Sequence, residues 1–115
     1  MDTDLVFQLE TFGAHRIISL SGELDLLGAP RLSVALGEVV RESTGGVVLD
    51  LSELEFIDST GIATLLNALR RLTRQGRRMA VVTGDGAVRR ALEIARLMED
   101  LRASASVADA LAKIA

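Results

Sequence analysis

The feature that most limits the fold is a change of hydrophobic period in the middle of the chain. Val47, Val48, Leu49 and Leu51 form a short, nearly continuous apolar run, which suits an interior strand. From Ser59 onward, Ile62, Leu65, Leu66, Leu69 and Leu72 lie instead on one stripe of a helix that should end before Gly76. A strand that runs into an amphipathic helix is the unit of a layered α/β fold, because each element must bury its apolar side against the other. The unit recurs downstream. Met79 to Thr83 is an apolar strand, Gly84-Asp85-Gly86 turns the chain, and Val88, Ala91, Leu92, Ala95 and Met98 make the stripe of another helix.

Upstream, Leu5 to Phe12 and Arg16 to Leu24 read as strands joined at Gly13-Ala14, since a leading glycine suits a two-residue hairpin turn. Ile18, Leu20 and Leu24 alternate with Ser19, Ser21, Glu23 and Asp25, so this second strand is expected to be covered on one face only. Ala29-Pro30 begins a helix with Leu32, Ala35, Leu36, Val39 and Val40 at helical spacing, and Gly45-Gly46 ends it. Near the C-terminus, Arg102 to Ala105 reads as a weak edge strand. Ser106 with Asp109 three residues on has the form of a capping box before Leu111 and Ile114. The order β-β-α-β-α-β-α-(β)-α predicts a mixed sheet, its first two strands antiparallel and the later ones parallel through right-handed crossovers. A chain of 115 residues without internal repeat or linker-like tract suits one core, so residues 1–115 are expected to form a single α/β domain.

Composition removes several functions. The net charge of −3 disfavours affinity gained by neutralising phosphates, and Phe7, Phe12 and Phe56, without Trp or Tyr, build no stacking platform, so no direct nucleic-acid binding is expected. With no cysteine and a single histidine, His15, thiolate and histidine-cluster metal sites are excluded, and neither metal nor cofactor is expected. The acidic start Met1-Asp2-Thr3-Asp4 does not look like a signal peptide, and no apolar stretch is long enough to span a membrane. A cytoplasmic protein without membrane insertion is the expectation.

The polar cluster Asp58-Ser59-Thr60-Gly61 sits where the period changes, at a helix start. A helix N-terminus exposes unpaired N–H groups and about half a positive charge, so a hydroxyl there either caps the helix or accepts a modification that the helix tolerates. Gly22-Glu23-Leu24-Asp25 closes the second strand, and Asp50-Leu51-Ser52 leads to Phe56-Ile57-Asp58-Ser59-Thr60-Gly61. This pattern resembles the STAS domain of bacterial anti-sigma factor antagonists over nearly the whole chain.

The resemblance implies a single STAS-like mixed sheet that opens with a β-hairpin and carries its helices mainly on one face. It implies a regulator, not an enzyme. Such a protein binds an anti-sigma factor that is also a serine kinase and so frees a sigma factor; phosphorylation switches it off, and a phosphatase restores it. By the resemblance Ser59 is the phosphoacceptor, and Glu23, Asp25, Asp58, Ser59, Thr60 and Gly61 form the partner-binding surface, with Thr60 a second hydroxyl beside the first. Other STAS proteins serve as subunits of transporters or stress-sensing complexes, which is the alternative within the family. An open sheet face also leaves room for weak self-association.

Other features have plainer readings. Arg70, Arg71, Arg74, Arg77 and Arg78 read as a solvated basic face near a helix C-terminus, and Arg89-Arg90 likewise. His15 is expected in an exposed loop. A small serine hydrolase using Ser59 is the rival from another class, but the nucleophile-elbow pattern is missing. Asp50 near a strand end suggests a receiver domain, which would also need an acidic pair for magnesium and a late-strand lysine; the single lysine, Lys113, lies in the last expected helix. Gly84-Asp85-Gly86 lacks the spacing and lysine of a P-loop and reads as a cap and turn.

Overall fold

The computed structural model describes residues 4–115, so Met1, Asp2 and Thr3, on which the signal-peptide expectation rested, lie outside the described residues. Its elements are β1 (Val6–Phe12), β2 (His15–Leu24), α1 (Ala29–Glu42), β3 (Val47–Ile57), α2 (Ser59–Arg74), β4 (Met79–Val82), α3 (Ala87–Ile94) and α4 (Val107–Ile114). They form a four-stranded sheet in the order β1-β2-β3-β4, antiparallel between β1 and β2 and parallel thereafter. The hairpin turn is the expected one. Phe12 pairs with His15, and Gly13 takes the positive φ of 60° that a side chain would resist.

One face of the sheet is covered by α1, α2 and α3, whose Leu32, Leu36, Leu65, Leu72 and Leu92 join Leu20, Leu49, Leu51 and Val81 in the main core. The other face holds a smaller cluster in which Ala110 and Ile114 of α4 cover Ile17, Val48, Ala80 and Val82. The expectation that β2 is covered on one face therefore holds only for its second half. Ile17 and Ile18 are both buried, because α4 returns from the end of the chain to the face that alternation assigned to water.

β3 is longer than its apolar run, eleven residues where five were expected. Beyond Leu51 its buried residues are Leu54 and Ile57, three apart, with exposed residues between them. Register shifts against β2, between Ser19 and Ser21 and again between Gly22 and Glu23, produce this spacing, which a period of two does not reveal. α3 is shorter than its stripe: Arg96 enters the left-handed region at φ 59°, and the Leu97 amide returns to the Leu92 carbonyl. Ala95 and Met98 thus follow the helix. The weak strand at Arg102 to Ala105 reduces to a single bridge between Val82 and Ser104, while α4 is capped as expected, Ser106 Oγ accepting the Asp109 amide at 3.1 Å.

Two polar side chains read as solvated are structural. His15 opens β2, and its Nδ1 accepts the Gly46 amide at 2.8 Å. Arg77 leaves the basic face and donates to the Gly45 carbonyl at 2.7 Å, the Val40 carbonyl at 2.8 Å and Ser43 Oγ at 2.7 Å. Burial, and secondarily Arg16 nearby, draw its pKa below the usual guanidinium range, yet a guanidinium remains protonated at neutral pH. Gly45 and Gly46 permit this junction. A Cβ on Gly46 would lie 2.8 Å from the Arg78 carbonyl oxygen and 2.9 Å from Ile114 Cβ.

Candidate partner-binding site

The parallel strands β2 and β3 end side by side, with Glu23 opposite Phe56 and Leu24 opposite Ile57. Loops leaving the carboxyl ends of parallel strands are where α/β folds place their sites. Here the two loops are tied by one carboxylate. Asp58 is the N-cap of α2, its Oδ1 accepting the Gly61 amide at 2.8 Å, while Oδ2 accepts the Leu26 amide of the β2–α1 loop at 3.1 Å. The Asp58 amide donates to the Leu24 carbonyl at 3.2 Å and adds a backbone tie.

Asp25 does equivalent work on its own loop. Its Oδ1 accepts the Leu27 and Gly28 amides, both at 3.0 Å, and its carbonyl accepts the Ala29 amide at 2.8 Å. With these polar groups turned onto the backbone, the leucines between them are left outside. Leu26 is 67% exposed and Leu27 83%, and Phe56 at the end of β3 is 44% exposed.

Ser59 is the first residue of α2 and is exposed. It does not cap the helix. Since Asp58 takes that role, the Ser59 hydroxyl is spared from the fold and stands where the helix dipole favours negative charge. Thr60 is half-buried, and Gly61 is buried. A Cβ on Gly61 would lie 2.5 Å from the Leu24 carbonyl oxygen and 2.8 Å from Ile57 Cγ1, so this glycine sets how closely α2 approaches the strand ends. Gly61 positions the surface while Ser59 forms part of it.

Glu23, Asp25, Asp58, Ser59, Thr60 and Gly61 are thus gathered on two adjoining loops and the strand ends that feed them. A cleft of about 320 Å³ adjoins them, lined by Glu23, Asp25, Leu27 and Arg31 among others. Leu26 and Leu27 were missed by the sequence reading, although adjacent leucines between Asp25 and Gly28 are an available signal. Periodicity gives such residues no face, because they belong to a turn.

The competing chemistries find little support. His15 opens β2, whereas Ser59 follows the far end of β3, so the length of the sheet lies between them. Asp50 accepts from the Ser52 amide at 3.0 Å and the Ser52 hydroxyl at 2.6 Å, and lies mid-strand. Lys113 donates to the Ala103 carbonyl at 2.9 Å. Among the described residues no group of three His, Asp or Glu could hold a metal ion. Asp85 turns toward Arg89 at 2.9 Å, and Gly86, in the N-cap position before α3, offers no side-chain cap, so Gly84-Asp85-Gly86 is a turn and the expected cap is missing.

The STAS domain profile matches residues 6–110, which takes in every element from β1 through the first half of α4. The chain belongs to the STAS domain family. Among curated relatives of this STAS domain is the anti-sigma-F factor antagonist RsfB of Mycobacterium tuberculosis, 34% identical over 83% of this chain and 77% of its own. A solved anti-sigma factor antagonist from Mycobacterium paratuberculosis superposes with a TM-score of 0.89 at 28% identity, covering 99% of this chain and 97% of its own. The Bacillus cell fate determinant SpoIIAA, solved in its phosphorylated form, shares the fold at a TM-score of 0.73 and 20% identity, covering 96% of this chain and 100% of its own. No helix among the described residues is long and apolar enough to cross a membrane.

Proposed function

We propose that this STAS domain is a cytoplasmic, non-enzymatic anti-sigma factor antagonist that binds an anti-sigma factor with serine-kinase activity and thereby releases a sigma factor. Phosphorylation of Ser59 by that partner ends the interaction, and a phosphatase reverses it. The observation that carries this reading is the division of labour at the start of α2. Asp58 performs the capping, which leaves an exposed Ser59 hydroxyl beside the exposed side chains of the β2–α1 loop. The kinship with anti-sigma factor antagonists supports the same reading.

The physics of the switch follows from the position. A phosphoryl group adds about −1.5 to −2 charges and three acceptor oxygens. At a helix N-terminus such a charge is stabilised by about 0.3–1 kcal/mol, so the fold survives the modification. The interface does not. The added charge stands next to Asp58 on a surface that already carries Glu23 and Asp25, and a bulky hydrated group is placed beside the leucines that a partner would desolvate.

The test is to incubate the protein with ATP and serine-kinase anti-sigma factors from the same genome and to locate any phosphate by fragment mass spectrometry. One phosphate on Ser59 is expected. Ser59→Ala should bind the kinase and accept no phosphate, and Ser59→Asp should bind more weakly while melting normally. Phosphate on Thr60 would move the acceptor by one residue. Absence of phosphate, under conditions where an established kinase–substrate pair reacts, would remove the switch and favour a scaffold or transporter subunit.

A further inference from the structure

Among the described residues β1 is an edge strand, with β2 on one side and no strand on the other. Its free edge can be assigned residue by residue. The Arg16 amide donates to the Gly46 carbonyl at 3.1 Å, so Arg16 spends its backbone on the β3 side, and Thr11, its partner in register, belongs to a non-hydrogen-bonded pair. Alternation along the antiparallel ladder puts Leu9 and Phe7 in the same class, opposite Ile18 and Leu20. The N–H and C=O groups of Phe7, Leu9 and Thr11 therefore point away from the sheet.

Edge strands are normally protected by proline, lysine, a bulge or a covering segment. β1, Val-Phe-Gln-Leu-Glu-Thr-Phe, contains neither proline nor lysine, pairs with β2 in unbroken register and bears one charge, Glu10. It also exposes three large apolar side chains, Val6 at 55%, Leu9 at 57% and Phe12 at 57%.

We propose that this edge pairs with a second copy of the same chain, the two β1 strands running antiparallel about a two-fold axis at Leu9 and joining two sheets into one of eight strands. The strand's own sequence argues for this occupant. In that register Leu9 faces Leu9 of the other copy, and Phe7 faces Thr11 twice, so all three outward residues become hydrogen-bonded pairs. Val6 falls opposite Phe12, which joins the two remaining exposed apolar side chains on the α4 side of the sheet. Glu10 falls opposite Gln8, so no like charges are set face to face. Shifting the register by two residues would lose the Val6–Phe12 pairing and leave outward groups unpaired at the strand ends.

Sedimentation velocity from micromolar to millimolar protein tests the proposal. The wild type should pass from monomer to twice the monomer mass. Leu9→Pro should remain monomeric with an unchanged circular dichroism spectrum, since the lost N–H faces outward and proline is accommodated on strand edges. Should that variant unfold, Leu9→Lys and Leu9→Glu leave the backbone intact. Each should be monomeric alone, because the two-fold axis sets residue 9 against its own copy, and an equimolar mixture should restore the dimer. A wild type that stays monomeric throughout overturns the proposal. So does a Leu9→Lys dimer as tight as wild type, or a mixture that fails to associate while the wild type dimerises.

Discussion

The two ends of the β2–β3 pair are built from similar parts and have opposite characters. Where the strands begin, His15 and Arg77 bond to the backbone around Gly45 and Gly46, and Ile114 of α4 closes over the junction. Where they end, Asp25 and Asp58 also bond to backbone, but among the described residues no helix covers Leu26 and Leu27, which are left in solvent. Polar side chains organise the turns in both places. What differs is whether a helix arrives to cover the apolar residues: one end becomes a stabilising joint, and the other keeps the exposed leucines of the surface proposed for partner docking.

The sharpest way to break the comparison is to insert a methyl group at each end. Gly46→Ala and Gly61→Ala each place a Cβ within 3 Å of a backbone oxygen, and each should lose about 1–3 kcal/mol in urea unfolding. Gly61→Ala should also weaken partner binding, because it moves α2 relative to the strand ends, whereas Gly46→Ala should leave the affinity of the folded fraction unchanged. Equal binding by both variants would mean that the two ends are not functionally distinct.

The side chains that tie the ends give a smaller effect. Asp58→Ala removes the α2 cap and the bond to the Leu26 amide, and a loss of about 0.5–2 kcal/mol is expected in the same unfolding measurement. A binding titration should show weaker partner affinity beyond what the unfolded fraction accounts for. The smallest stability change is expected for Leu27→Ser, within about 0.5 kcal/mol, because the side chain is already exposed. That variant should nonetheless reduce partner affinity. Unchanged affinity would move the docking surface away from the β2–α1 loop.

Much of the frame was legible before the structure. The Gly13-Ala14 turn, the stripe of α2 and the cap of α4 are local patterns, each set by residues within a few positions of one another, and each appears where the sequence predicts it. The candidate site was legible in part for the same reason. Asp58 and Ser59 announce a helix start, though only the structure assigns the cap to Asp58 and leaves Ser59 outside the capping bonds. The length of β3 was hidden because register shifts against β2 replace the period of two with a spacing of three.

By itself the sequence determined the layered α/β architecture, the order of its elements and the place of the serine, since these depend on hydrophobic period and turn chemistry over short stretches. Only the tertiary structure decided that α4 covers the second face and that Arg77 belongs to a half-buried joint with Gly45, 32 residues away, and Val40, 37 residues away. It alone left Leu26 and Leu27 uncovered. The reason is that burial is a property of neighbours brought together from distant positions: a leucine or an arginine is written the same way whether or not another element folds over it.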